Sequence, residues 1–410
     1  MSSDESGLRA VYLGQAAISC TGYVSTIALT YVLIARAPSY ETVGVALAAC
    51  AAATFCGTLL APRAVRTFGA LHTLQYTALG GALCQMAAWW SFANDLMLAG
   101  VAASAVSCAA LAPTAPAAAS QIKAVVSSAE IRSAIGKLRT VRNVAIVAGL
   151  LAGSLAMRVS SPLALLWVDA AFKAAAFAVY CVGTRVRSTT AGGPRPQQTG
   201  TIPQGLALLA QTRWLLLSAA LEVFFQLCWG AAIQINGPAV YQSLGQAEIW
   251  LIIAAAPLVG AALAGVYTAR ASVAPRLVPA LVVSGAAAAL PLAIAAGTPI
   301  VVCLALGVLG GAVLENLSVA WVAATGMVLD RADFTALFSA QVALGLATAP
   351  VSRMFGGLLL GMTSPQISTA VLGLGVLTIP ALALMSRPLA RNDKEIVRRW
   401  KDEHAAETAG

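Results

Sequence analysis

The sequence predicts an all-α integral membrane protein with twelve transmembrane helices, and three observations lead to this fold class. Hydrophobic residues make up 59% of the 410 residues, with a mean hydropathy of +0.82. Charged residues account for only 10%, whereas a soluble domain carries about 25%. The apolar residues are gathered into twelve long segments. So few charges cannot cover a soluble globule of this length, and the missing polar surface implies contact with lipid.

Each segment has about the 20 residues that a helix needs to cross the hydrocarbon core of a bilayer. The segments lie at 11–35, 42–61, 71–93, 96–118, 140–158, 162–183, 214–236, 248–269, 277–297, 299–325, 336–361 and 365–386. Helices are predicted because the alternating pattern of a β-barrel is absent and lipid tolerates no open strand edges.

A polar interruption divides the segments into six plus six. Its Gly, Pro, Thr and Gln content is typical of a flexible linker. The predicted organisation is an N-terminal six-helix bundle (1–183), a cytoplasmic linker (184–213), a C-terminal six-helix bundle (214–386) and a cytoplasmic tail (387–410). The tail has six basic and five acidic residues, which leaves open an amphipathic surface helix or a solvated tail near anionic lipid.

The basic residues set the predicted orientation. With both termini inside the cell, 21 of the 25 Lys and Arg residues are cytoplasmic, and only Arg36 and Arg158 lie outside. This asymmetry is the positive-inside pattern, so the net charge of +9 does not indicate nucleic-acid binding. The Ala-rich, Arg-over-Lys composition indicates a GC-rich bacterium and therefore a bacterial cytoplasmic membrane.

Motifs of soluble enzymes are absent from the sequence. It contains no H-E-x-x-H, G-x-S-x-G, Walker A or dinucleotide-binding fingerprint, each of which supplies a defined catalytic or cofactor geometry. The eight cysteines lie inside apolar segments and form no C-x-x-C pair, as expected of small buried residues. We predict no enzyme activity, no metal and no cofactor.

Several stretches resemble the major facilitator superfamily, and most closely its twelve-helix exporters of drugs, macrolides and siderophores. SSPLALLWVDAAFKAAAF resembles the sixth helix of that group, with Asp169 in the usual acidic place. QTRWLLLSAALEVFFQLCWGAAIQINGPAVYQ resembles its seventh helix, and AWVAATGMVLDRADFTALFSAQVALGLATAPVSRMFGGLL its tenth and eleventh. The resemblance implies two pseudo-symmetric six-helix bundles, a monomer and proton-coupled export.

The resemblance also implies a cytoplasmic gate loop after the second helix. Here GTLLAPRAVRTFG keeps Gly57 and Arg63 of the superfamily's pattern, but Pro62 replaces its acid. The Gly-Pro pair of the exporters' fifth helix is altered too, because Gly149 is followed by Leu150.

Five charged residues stand out within the predicted transmembrane segments, where each charge costs about 2.5–3.5 kcal/mol and marks a candidate functional site. Asp169 and Lys173 are four apart on the sixth helix, so they can pair; this intramembrane charge pair is either structural or part of transport. Arg353 on the eleventh helix is either the partner of a glutamate or an attraction for an anionic substrate.

The remaining two charges are glutamates on helices that border the central cavity in the superfamily. Glu222 has Phe225, Gln226 and Trp229 as near neighbours, a mixture suited to an amphiphilic organic molecule. Glu315 is followed by Asn316 on the tenth helix, at a similar predicted depth. A carboxylate removed from water can bind and release a proton near neutral pH, which is what proton coupling requires.

The predicted function is proton-coupled efflux of a small organic compound, with protons, substrate and membrane lipids as partners. Import of a metabolite on the same fold is the first alternative. A non-transporting sensor or scaffold is the second, although the sequence offers no sizeable soluble domain for sensing.

The predicted topology is tested by reporter fusions. Fusions at Gly193 and at the C-terminus should both report a cytoplasmic location, and a fusion at Arg158 should report the outside, because of the distribution of basic residues. A periplasmic signal at Gly193 or at the C-terminus would contradict the twelve-helix arrangement.

Overall fold

Helices account for nearly all of the computed structural model, which describes residues 3–125, 131–184, 202–268 and 276–409. Each of the twelve predicted segments lies on helix. The α-helices are α1 (Ser3–Arg36), α2 (Tyr40–Phe68), α3 (Ala70–Ala93), α4 (Met97–Leu111), α5 (Thr114–Val125), α6 (Ile131–Met157), α7 (Pro162–Thr184), α8 (Ile202–Gln211), α9 (Arg213–Ala231), α10 (Gly237–Ser243), α11 (Ala247–Thr268), α12 (Leu277–Ser284), α13 (Ala289–Ala295), α14 (Ile300–Val328), α15 (Arg331–Met362), α16 (Pro365–Met385) and α17 (Arg387–Ala409). A π-helical turn (Ala232–Asn236) joins α9 to α10, and a 3-10 turn (Gly285–Ala288) joins α12 to α13.

Eleven helical stretches in the described part of the chain are long and apolar enough to cross a membrane. The predicted segment 71–93 is the exception, although it forms the 24-residue helix α3. Its lower hydropathy comes from polar residues that are buried within the protein, such as Thr73, Gln75, Thr77 and Gln85. The amides of Gln75 and Gln85 donate to the Tyr180 carbonyl of α7 and the Ser25 hydroxyl of α1, so these groups of α3 contact neighbouring helices.

Two proline-containing segments differ from their predicted form. The segment predicted at 96–118 is interrupted before Pro113 and continues as α5 to Val125, because proline removes a helical hydrogen bond and crowds the preceding turn. The second helix, in contrast, continues through Pro62 to Phe68. The sequence predicts a gate loop that contains Gly57 and Arg63. In the structure both residues lie inside α2.

The connection between α2 and α3 is a single residue. Gly69 has φ 78° and donates its N–H to the carbonyl of Val65, a positive-φ end that glycine adopts without steric cost.

Part of the predicted flexible linker is an ordered helix. α8 occupies Ile202–Gln211 and packs against α15. The fit is close, because a Cβ on Gly205 would lie 2.1 Å from the carbonyl oxygen of Ala336. Linker residues 185–201 lie outside the described residues.

The chain divides into two compact units. The first contains Met1–Arg195 and Tyr241–Ala255, and the second contains Pro196–Val240 and Ala256–Gly410. The segment Tyr241–Ala255, which belongs to the first unit, contains the connection between α10 and α11. Within that unit the Tyr31 hydroxyl donates to the carbonyl of Ala247 at 2.9 Å, and the Tyr241 and Trp250 rings lie 5.7 Å apart.

The first unit is held together around α1, which packs against α6 and α7, while α3 packs against α4 and α7. Val11, Ile18, Leu74, Leu138 and Tyr180 belong to its buried apolar core. The Tyr180 hydroxyl accepts a hydrogen bond from the amide of Gln15 at 3.1 Å, so the polar end of the ring has a partner, as buried tyrosines require.

The tail is a helix that docks on the second unit. Leu389 and Ile396 of α17 are fully buried, and α17 contacts α9, α12 and α14. The Asp393 carboxylate accepts the backbone N–H groups of Leu277 at 2.8 Å and Val278 at 2.9 Å, and so caps the first turn of α12. Burial raises the pKa of the Asp393 carboxyl, against the opposing effect of these two bonds.

Close packing of α2 on α4 yields a prediction at Gly57. A Cβ there would lie 2.3 Å from the carbonyl oxygen of Ala109, which is backbone and cannot rotate away. Gly57→Ala should therefore lower stability by about 1–3 kcal/mol through overpacking, measured as a lower midpoint of thermal unfolding in detergent.

Gly80→Ala is the matched control, because a Cβ on Gly80 would meet only Ala110 of α4 at 3.8 Å. Both substitutions gain the same helix propensity, so their difference isolates the steric contact. Equal midpoints for the two variants would contradict the close approach of α2 and α4.

Candidate functional site

A cavity of about 200 Å³ lies within the second unit. α9 supplies the central wall, and its lining residues follow helical spacing, so they share one face. The lining residues are Ser218, Glu222, Phe225, Gln226 and Trp229 of α9, Leu277 and Leu281 of α12, and Leu314, Leu317, Ser318 and Trp321 of α14. The four seventh-helix residues predicted for the site are thus brought together.

Glu222 is the acidic residue of this cavity. Its side chain is half-buried, and its Oε2 accepts a hydrogen bond from the side-chain amide of Gln341 on α15. Behind it lies a smaller cavity of about 10 Å³, which Glu222 and Gln226 also line, together with Gln341, and which has room for about one water molecule. The carboxylate therefore stands between two spaces, and one of its oxygens is held by an amide.

Aromatic rings form the apolar part of the wall. Phe225 and Trp229 stack with centroids 5.9 Å apart at 24°. The Trp321 indole N–H donates to the Ser218 hydroxyl at 3.4 Å, and that hydroxyl donates to the carbonyl of Leu215. Trp229 packs against Gly310, where a Cβ would lie only 3.2 Å from the indole. The rings are consequently fixed by packing and supply an apolar wall to the cavity.

Glu315 and Asn316 do not line this cavity. The lining residues of α14 are spaced i, i+3, i+4 and i+7 from Leu314, and Glu315 and Asn316 fall outside that stripe. The Glu315 Oε1 is 3.9 Å from the place where a Cβ on Gly265 of α11 would be, so its carboxylate is turned toward α11. The sequence predicts that both glutamates act at one site, but Glu222 lines this cavity and Glu315 does not.

Arg353 contacts an amide of the seventh membrane segment. Its Nε donates to the Oε1 of Gln234 at 2.9 Å, and Gln234 belongs to the π-helical turn between α9 and α10. The neighbouring Ser352 hydroxyl donates to the carbonyl of Leu227 at 2.9 Å. Such turns are frequent at functional sites, yet Arg353 is not among the residues that line the cavity.

The first unit contains a separate buried polar cluster around Asp169 and Lys173. Lys173 Nζ lies 2.6 Å from Asp169 Oδ2, and the two residues are 3% and 0% exposed. The ammonium also donates to Gln85 Oε1 at 3.3 Å and to the Ser107 hydroxyl at 3.2 Å. Its three donors are therefore satisfied by residues of α3, α4 and α7.

The cluster extends further through its neutral members. Gln85 donates to the Ser25 hydroxyl of α1 at 3.2 Å, and Ser107 donates to the carbonyl of Gly81 at 3.0 Å. Sequence reasoning missed Gln85, Ser107 and Gln341. The usable signal was an uncharged amide or hydroxyl inside an apolar segment, since such a polar group is stable in lipid only with a partner.

The charge pair yields a prediction. Removing one partner of a buried pair leaves an uncompensated charge and costs about 3–5 kcal/mol. Asp169→Asn or Lys173→Met alone should therefore lower the folded yield measured by fluorescence-detected gel filtration, and the double change should restore part of it.

The same substitution at Asp95 provides the control. Asp95 pairs with Arg36 at 3.0 Å but is 86% exposed, and exposed pairs contribute about 0–1 kcal/mol. Asp95→Asn should leave the yield unchanged. A double mutant at Asp169 and Lys173 with no recovery would show that the two charges do not stabilise each other.

Comparison with known proteins supports the architecture. No protein-family model and no curated protein matches the sequence. Solved structures do match over most of their length: the nucleoside transporter NupG (TM-score 0.68, 14% identity, 94% of this chain and 98% of that one) and a D-xylose–proton symporter (0.65, 15%, 93% and 96%). A POT family transporter in complex with 5-aminolevulinic acid also matches (0.69, 12%, 95% and 96%).

At these identities the likeness concerns the fold alone. Together with the helices described above, it shows that the chain is a multi-pass, all-α protein with the major facilitator fold.

Proposed function

We propose that the chain is a secondary active transporter that couples the inward movement of protons to export of a small organic compound. The observation that carries the proposal is the carboxylate of Glu222 on the wall of a cavity whose other members are stacked rings and polar side chains. Its setting in the bacterial cytoplasmic membrane, with both termini cytoplasmic and the chain acting as a monomer, belongs to the same proposal.

Glu222 has the chemistry that a proton carrier needs. A carboxylate at membrane depth is costly unless a proton, a cation or hydrogen bonds neutralise it. The amide of Gln341 supplies one hydrogen bond, and the cavity gives the other side of the group access to substrate. Protonation and substrate binding can thus compete for the same carboxylate, which is the linkage that an antiporter requires.

The cavity sets a limit on the substrate. Drug-sized ligands occupy about 300–1,000 Å³, and the space within the second unit is about 200 Å³. This volume holds a small compound or one aromatic or polar group of a larger one. Gln226 and Ser318 are exposed and offer hydrogen bonds, while the rings of Phe225 and Trp229, 1% and 8% exposed, form the apolar wall.

Import is the second candidate, and one observation favours it: the solved structures with this fold include a D-xylose–proton symporter. The two directions are separated by the sign of the coupling. In proteoliposomes, export coupling makes an imposed proton gradient drive substrate against the proton flow, and import coupling drives it along. A protein that moves no substrate in either direction would be a sensor or scaffold.

Glu222→Gln tests the proposal. Glutamine keeps the shape and most hydrogen bonding of the side chain but carries no proton. After a susceptibility panel in a pump-deleted host has identified a transported compound, the variant should lose pH-gradient-driven accumulation entirely, while substrate exchange and protein level remain near those of the unmodified chain.

Glu315→Gln makes the same chemical change on α14, on a face turned from the cavity, and should have a smaller effect. Accumulation at the unmodified rate in both single variants and in the double variant would make these carboxylates structural. Arg353 and the Asp169–Lys173 pair would then be tested next.

A further inference from the structure

The helix α17 has two distinct faces. Leu389, Asn392 and Ile396 are buried against the second unit, and Asp393 caps α12 from the same side. Arg399 extends the docking, since its guanidinium donates to the carbonyl of Met327 near the end of α14 at 3.4 Å. One face of the tail is therefore fully used by contacts within the protein.

The opposite face is a basic stripe. Arg387, Arg391, Lys394 and Arg398 are all exposed and follow the spacing i, i+4, i+7 and i+11, which places them on one side of a helix. Glu395 forms ion pairs with Arg398 and Arg399. Among the described residues, the other three bases of the stripe form no ion pair, so their charge is available to an external anion.

An apolar groove begins beside Arg387, at the N-terminal end of the basic stripe. It encloses about 470 Å³ between the start of α9 and the end of α16, with Arg387 on its edge. Its lining includes Leu217, Leu221, Leu382, Met385 and Pro388. Leu382 and Met385 are 49% and 79% exposed, and both α9 and α16 belong to membrane-spanning stretches. The groove therefore extends from the apolar surface of the membrane-spanning helices to the guanidinium group of Arg387.

We propose that the groove and the basic stripe together form a binding site for an anionic phospholipid of the leaflet on the C-terminal side of α16. The acyl chain would lie in the groove, and the phosphate and acidic headgroup would contact Arg387 and Arg391. A free phosphate would use the stripe but not the groove, and a neutral lipid would use the groove but not the stripe. Only an anionic lipid uses both, and the site does not depend on the proposed transport activity.

Native mass spectrometry of the purified full-length chain tests this assignment. The chain would be mixed with equal amounts of phosphatidylglycerol and phosphatidylcholine that carry the same acyl chains. The unmodified chain should retain phosphatidylglycerol in clear excess. The ratio should fall roughly fivefold for each base removed in Arg387→Gln and Arg391→Gln, since a base near the headgroups contributes about that factor.

Arg63→Gln combined with Arg66→Gln is the matched control, because these bases are also exposed and lie near the end of a membrane helix in the first unit. This control should keep the unmodified ratio. Leu382→Trp, which fills the groove, should reduce binding of both lipids and leave their ratio unchanged.

Three results would overturn the assignment. They are an equal loss in the Arg63 and Arg66 control, an unchanged ratio after both tail bases are removed, and displacement of the bound lipid by soluble glycerol phosphate. The last result would identify a site for a free anion.

Discussion

A charged group inside a bilayer is stable only where the protein supplies its partners, and this constraint organises the functional parts of the chain. Lys173 pairs with Asp169 and donates to two neutral side chains, while the second oxygen of Asp169 is buried without a hydrogen-bond partner in the described part of the chain. Arg353 has a partner in the side-chain amide of Gln234, which accepts a hydrogen bond from its guanidinium group. Glu222 meets the constraint only in part, because one oxygen is held by Gln341 while the group still borders a cavity.

These different surroundings support the proposal that the Asp169–Lys173 pair is structural and that Glu222 exchanges a proton. The lysine of the first unit has every donor occupied and is nearly inaccessible, so a change of protonation there would break bonds between three helices. Glu222 can bind a proton on its second oxygen while the first still accepts the hydrogen bond from Gln341. An ammonium with all of its donors bonded favours rigidity. Asp169 Oδ1 has no hydrogen-bond partner among the described residues, but that carboxylate is 0% exposed, whereas Glu222 borders a cavity, which favours exchange.

Helix positions could be predicted from the sequence because the bilayer imposes a length and a hydropathy on each segment. Their details depended on packing, which hydropathy does not report. α2 continues through Pro62 where a loop was expected, and α8 forms inside the predicted linker because α15 offers a close surface at Ala336. Glu222 was found from its aromatic neighbours, whereas the different direction of Glu315 follows from the face that α14 turns toward α11.

The tail is connected to the candidate cavity through a single short helix. Asp393 of α17 holds the N–H groups of Leu277 and Val278, and Leu277 is also a lining residue of the cavity. The tail thus caps the first turn of α12, and the side chain of Leu277 in that turn lines the cavity wall. Because those two N–H groups have no partner within their own helix, displacement of α17 would leave them to water and loosen that turn. The position of Leu277, and with it one wall of the cavity beside Glu222, therefore depends on whether the tail is docked.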